Sequence, residues 1–109
     1  MNFDEYQEKS RKTAKYPNAG KDWVYPMLGL CGEAGEVAEK MKKVLRDCGG
    51  KIDETKKNEI KKELGDVLWY VAQLATELNL SLDEIANGNI EKLYSRMERN
   101  KLNGNGDDR

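Results

Sequence analysis

Apolar residues recur at the helical period in two long stretches of the chain. Leu30, Ala34, Val37, Ala38, Met41, Val44 and Leu45 form one stripe, and Ile60, Leu64, Val67, Leu68, Val71, Leu74, Ala75 and Leu78 form another. Both keep the three-and-four spacing of an amphipathic helix. The first predicts a helix from Pro26, as a first-turn proline, to about Asp47, where Gly49-Gly50 stops it. The second predicts a helix opened by Asp53 as N-cap and ended at Asn79-Leu80.

Shorter helices are expected on either side. Asn2 and Glu5 have the spacing of a capping box, and Phe3, Tyr6, Gln7 and Ser10 fall on one side of a helix running to about Lys15. Tyr16-Pro17-Asn18-Ala19-Gly20 breaks it, and Lys21 to Tyr25 reads as a connecting loop carrying Trp23 and Tyr25. A second box, Ser81 with Glu84, opens a last helix from Leu82 to about Arg99, with Asn87-Gly88 as a point of interruption. No alternating strand pattern competes with this reading. The expected fold is all-α, a bundle of about four helices in a single domain over 1–102. Residues 103–109, rich in Gly, Asn and Asp, are expected to be a flexible tail.

Each long helix carries an acid-x-x-acid pair on the border of its stripe: Glu33 with Glu36, and Glu63 with Asp66. A separation of three places two carboxylates about 60° and about 4.5 Å apart on one helix surface. Like charges that close repel, and two such helices side by side could gather all four acids in one place. Only bound cations make that arrangement favourable. Hard oxygen donors suit Mg²⁺, with Mn²⁺ as the alternative, better than Zn²⁺. Gly29, Gly32 and Gly35 lie beside the first pair, and each costs on the order of 1 kcal/mol of helix propensity relative to alanine. They predict a close approach there, by another helix or by a ligand or partner backbone.

Composition narrows the chemistry further. The chain has 109 residues, 19 basic against 20 acidic side chains, and no histidine. One domain is expected at this length. The balanced charge points to neither nucleic acid nor membrane as a partner, and the missing histidine removes Ser-His-Asp, Cys-His and His-metal sites. Cys31 and Cys48 lack zinc or disulfide spacing. No apolar run approaches the roughly 18 to 20 residues needed to span a bilayer, and the acidic start is unlike a signal peptide, so a cytoplasmic protein is expected.

Taken in order, Gly32-Glu33-Ala34-Gly35-Glu36-Val37-Ala38-Glu39, then Glu63-Leu64-Gly65-Asp66-Val67-Leu68-Trp69-Tyr70, then Asn89-Ile90-Glu91-Lys92-Leu93 with Arg96, resemble the MazG-like all-α nucleoside triphosphate pyrophosphohydrolases. The resemblance extends from Tyr6-Gln7 to the tail Gly104-Asn105-Gly106-Asp107-Asp108-Arg109, and departs from the family's habit at Asn100 and Asp108. It implies hydrolysis of a nucleoside triphosphate to the monophosphate and pyrophosphate, for nucleotide pool cleansing or precursor supply. Glu33, Glu36, Glu63 and Asp66 would hold Mg²⁺, one of them orienting or deprotonating the water. Lys92 and Arg96 would hold phosphate oxygens, and Asn89 the phosphate or sugar. Tyr6 and Trp23, with Phe3, Gln7 and Tyr25, are the candidates for the base and sugar.

Two other functions fit the same residues. One is a phosphoribosyl-ATP pyrophosphohydrolase on the same scaffold; the other is a non-catalytic helical interaction module whose acids are solvated. The stripes offer more apolar surface than four helices hide by themselves, so a homodimer or a dimer of dimers is expected.

Overall fold

The computed structural model describes residues 1–100 and 103–109. The expected boundary between domain and tail, at 102, lies outside the described residues. Among the described residues the elements are four helices, α1 (Phe3–Arg11), α2 (Val24–Asp47), α3 (Glu54–Glu77) and α4 (Leu82–Glu98), with no strand.

The helix starts follow local chemistry. Asn2 Oδ1 accepts from the Glu5 N–H at 2.8 Å, Asp53 Oδ1 from Lys56 at 2.8 Å, and Ser81 Oγ from Glu84 at 3.2 Å. Each such cap contributes about 1 kcal/mol by satisfying a donor that the helix itself cannot. α2 begins earlier than expected, at Val24, whose N–H is held by Asp22 Oδ1 at 3.1 Å. Tyr25 is therefore helical rather than part of a loop.

The ends depend on left-handed residues. Asn79 has φ 58° and lets the Leu80 N–H return to the Ala75 carbonyl at 2.8 Å. Gly49 and Gly50, at φ 59° and 80°, close α2. α1 stops at Arg11, short of Lys15, because the chain tightens into turns in which Thr13 Oγ1 donates to the Ser10 carbonyl at 2.6 Å. α4 runs unbroken through Asn87-Gly88, correcting the expected interruption. A helical glycine costs on the order of 1 kcal/mol, too little to break a capped helix that continues on both sides.

α2 and α3 pack as an antiparallel hairpin; α1 lies on α3, and α4 on α1. Polar side chains make much of the α1–α3 junction. Gln73, fully buried, donates from Nε2 to Ser10 Oγ at 3.0 Å and accepts from Arg11 Nη1 at 3.3 Å. The Glu77 side chain, 2% exposed, accepts from Arg11 Nη2 at 3.1 Å, from the Gly20 N–H at 2.9 Å and from the Tyr16 hydroxyl. Gln7 spans the turn into α4: its Nε2 donates to Thr76 Oγ1 at 3.0 Å and to the Leu80 carbonyl at 2.9 Å, and its Oε1 accepts from the Leu82 N–H at 2.8 Å.

The buried apolar core is small, comprising Tyr16, Val44, Ala72, Ala75 and Leu82. Much of the two predicted stripes stays uncovered: Ala34, Ala38, Met41, Leu45, Leu64 and Leu78 are exposed, as are Ile90, Tyr94 and Met97 of α4.

Candidate metal centre

The α2–α3 hairpin places Glu33 across from Glu63 and Asp66. One carboxylate oxygen from each of the three lies within 4.8 Å of the other two. The helical spacing puts Glu63 and Asp66 on one face of α3, and the antiparallel packing brings Glu33 to that face. The hairpin is tight at this end. A Cβ on Gly29, one turn before Glu33, would meet the Tyr70 ring at 2.2 Å. Gly32 and Gly35 meet nothing within 4 Å among the described residues, so that side of the helix is open to a ligand or a second chain.

The electrostatics of the cluster are those of crowded acids. Burial, a hydrogen bond with Glu63, and the charges of Asp66, Glu63 and Glu36 together push the Glu33 carboxyl above its ordinary range. Glu36 is exposed, one turn along α2, and acts on Glu33 through its charge; it stands beside the close group of three rather than within it. Lys40, which could pair with Glu36 along the helix, instead reaches across the hairpin and holds Nζ 3.8 Å from Glu63 Oε1. One ammonium at that distance offsets little of the repulsion among three carboxylates. An all-oxygen, net-negative donor set fits a hard divalent cation such as Mg²⁺ or Mn²⁺.

Aromatic rings pack beside the acids. Trp69 and Tyr70 meet edge to face at 5.0 Å, Tyr25 lies 6.5 Å from Tyr70, and Tyr16 stacks on Tyr25 at 5.2 Å with 2° between the planes. Trp69 Nε1 donates to Thr13 Oγ1 at 2.8 Å. Burial, then the Tyr25 and Glu33 groups and Asp66, raise the Tyr70 phenol. The Tyr16 and Trp69 parts of this layer were not singled out from sequence, because their partners are distant along the chain. The proximity of Trp69-Tyr70 to Asp66 was the available signal.

The other predicted residues are distributed around this centre. Burial and the Asp66 charge raise the Tyr6 phenol, which places Tyr6 within the field of the cluster. Tyr6 also lines a hollow of about 240 Å³ with Met1, Asn2, Phe3 and Leu68. Neither this hollow nor a wider one of about 550 Å³, between Asp4, Gln7, Glu8, Arg11, Lys12 and Thr76, is lined by the cluster acids. Trp23 is the N-cap residue of α2, 45% exposed, while its neighbour Tyr25 joins the ring stack.

Asn89 is exposed on α4, and Lys92 and Arg96 are engaged with the tail rather than with the acids. Lys92 Nζ donates to Asp107 Oδ1 at 3.2 Å. Arg96, 3% exposed, reaches the Gly106 carbonyl at 3.4 Å, the Asp107 carbonyl, and Asp107 Oδ1 at 3.6 Å. α1 ties this helix to the acid-bearing hairpin, since Asp4 accepts from Ser81 Oγ at 3.0 Å and Tyr6, on the same helix, lies in the field of Asp66.

The sequence profile of the MazG nucleotide pyrophosphohydrolase domain matches residues 26–100. That span holds both acid pairs, Asn89, Lys92 and Arg96, and leaves out Tyr6, Trp23 and the tail. A protein of Mycobacterium phage L5 described as "Gene 37 protein" is 45% identical over 114 aligned residues, covering 100% of each chain. No solved structure matches the chain.

Proposed function

The chain belongs to the MazG nucleotide pyrophosphohydrolase domain family, and from that premise we propose that it hydrolyses a nucleoside triphosphate to the monophosphate and pyrophosphate with Mg²⁺ as cofactor. The observation that carries this reading is the convergence of Glu33, Glu63 and Asp66 within 4.8 Å. Carboxylates do not gather at that distance for a polyanionic substrate unless cations stand between them.

A divalent ion bound here supplies positive charge against the roughly four negative charges of a triphosphate and lowers the pKa of water held beside it. Glu33, Glu63 and Asp66 would hold the ion, with Glu36, exposed one turn along α2, as the fourth acid of the set. One of the four orients the attacking water and takes its proton. The water oxygen bonds to the α-phosphorus as the bond from that phosphorus to the α–β bridging oxygen breaks, and the electron pair of the broken bond leaves with pyrophosphate. Lys92 and Arg96 take phosphate oxygens, where guanidinium and ammonium donors offset charge that grows on the leaving group. Asn89 donates to the phosphate or sugar. Tyr6, which lines a hollow with Phe3 and Leu68 and lies in the field of Asp66, and the exposed ring of Trp23 contact base and sugar.

The working unit in this reading is at least a homodimer. The protomer exposes 8011 Å², about 1,900 Å² more than the roughly 6,100 Å² of a compact monomer of its mass. That difference is of the size an obligate interface covers on each partner.

A panel of ribo- and deoxyribonucleoside triphosphates, assayed for pyrophosphate release with and without Mg²⁺, tests the proposal. Metal-dependent pyrophosphate from at least one nucleotide is expected. Release of orthophosphate instead, or no hydrolysis of any nucleotide, would overturn it.

A further inference from the structure

The tail does more than trail from α4. Gly104 and Gly106, at φ 147° and 85°, adopt backbone angles that side-chain-bearing residues rarely take, and they curl the last residues back onto the helix. A Cβ on Gly104 would lie 3.1 Å from Cδ of Arg109, whose Nη1 donates to the Gly106 carbonyl at 2.5 Å. This loop turns three oxygens toward the helix. The Asp107 carboxylate faces Lys92 Nζ and Arg96 Nη2, and the carbonyls of Gly106 and Asp107 accept from the same Arg96 nitrogen. Several oxygens, one of them charged, converging on a lysine and an arginine are what a phosphate group would present there.

The fit is incomplete in an informative way. Among the described residues, the tail's bonds to Arg96 go to Nη2, while Arg96 Nε is buried with no hydrogen-bond partner. A buried donor without an acceptor is costly, and a phosphate that forks across Nε and Nη2 removes that cost. The Asp107 carboxylate is also mostly in water, with its side chain 84% exposed, and an ion pair so placed is weak. The contact is built to hold the cations and to yield.

We propose that Asp107 and the curled tail are a tethered occupant of the Lys92–Arg96 anion site, displaced when the triphosphate binds, so that a segment of the chain itself competes with substrate. This rests on the phosphate role given to Lys92 and Arg96 above. A group tethered a few residues beyond α4 acts at an effective concentration in the millimolar range, so even a weak carboxylate ligand raises the apparent substrate constant by about twofold to tenfold.

The test compares D107N with D108N, which removes the same charge one residue along. D107N is expected to lower KM about twofold to tenfold, with kcat unchanged and D108N like wild type. In parallel, calorimetric titration with inorganic tripolyphosphate reads the site without any hydrolysis, and D107N is expected to bind it more tightly by the same factor. Equal tripolyphosphate affinity in D107N and D108N, a raised KM in D107N, or no tripolyphosphate binding overturns the proposal. If no nucleotide is hydrolysed but D107N still binds tripolyphosphate more tightly, the hydrolase reading fails and the tail's role stands.

Discussion

The ring of Tyr70 fills the space that a side chain at Gly29 would need, with Cε1 only 2.2 Å from where a Cβ would sit. The two residues face each other across the α2–α3 hairpin one turn from the carboxylates. The glycine thus fixes how closely the acid-bearing helices approach, and the tyrosine takes up the room it leaves.

Alanine at this position must therefore displace the ring. G29A is expected to cost about 1–3 kcal/mol by overpacking, whereas G32A, with open space around it, should be neutral or stabilise by about 0.5–1 kcal/mol through helix propensity. Denaturant unfolding of the two variants checks this. Loss of stability in G32A would mean that a ligand or second chain covers that surface.

The crowded acids predict opposite effects on stability and on activity. E33Q removes one charge from a set whose members raise its carboxyl, and should stabilise the metal-free protein slightly. Wild type should gain roughly 2.7 kcal/mol at a Mg²⁺ concentration about 100 times Kd, a gain that E33Q and D66N should lose. Pyrophosphate release should fall on the order of 10²-fold in D66N and E36Q. Thermal melts with and without Mg²⁺, alongside turnover, measure both; near-wild-type activity in D66N and E36Q would remove the metal assignment.

Lys40 would compete with a divalent ion for Glu63 in the proposed centre, since its Nζ lies 3.8 Å from that carboxylate. K40M should lower metal-free stability by no more than about 1 kcal/mol, the range for a partly exposed pair, and should tighten Mg²⁺ binding. Calorimetric titration of Mg²⁺ into K40M decides it, weaker binding being the contrary result.

Acid should loosen the junction between α1 and α3 through Glu77. Burial alone would raise its carboxyl, but the Gly20 N–H, the Tyr16 hydroxyl and the Arg11 guanidinium outweigh burial and hold it below the ordinary 4.5. A depressed carboxyl stabilises the fold above its unfolded value, and that contribution is lost as pH falls from there through the folded value. Between about pH 5 and about pH 3 the wild type should lose more stability than E77Q, which at neutral pH starts lower by about 1–3 kcal/mol. Parallel pH profiles from the two proteins would contradict this origin.

What the sequence made legible was local or periodic. Asn2, Asp53 and Ser81 were readable as caps because the N–H donors they accept from are three residues away, and Glu33, Glu63 and Asp66 because two short acid spacings bordered two long stripes. Contacts across the chain left no such trace. Gln73 lies outside the predicted stripe, yet it is fully buried against Ser10, 63 positions away. Lys40 has the spacing of a within-helix partner for Glu36, and only the hairpin geometry gives it to Glu63. Lys92 and Arg96, four residues apart, lie on one helix face, but nothing in their spacing announced that Asp107 would be brought to it.

Gln7 has a consequence for motion. Its amide donates on one side of the α3–α4 turn, to Thr76 Oγ1 and the Leu80 carbonyl, and accepts on the other, from the Leu82 N–H. Neither helix needs that amide to stay helical, but the angle between them does. The pose of the arm bearing Lys92 and Arg96 is thus set by a latch near the beginning of the chain, and releasing that latch would let the arm pivot as a rigid rod without melting a single turn.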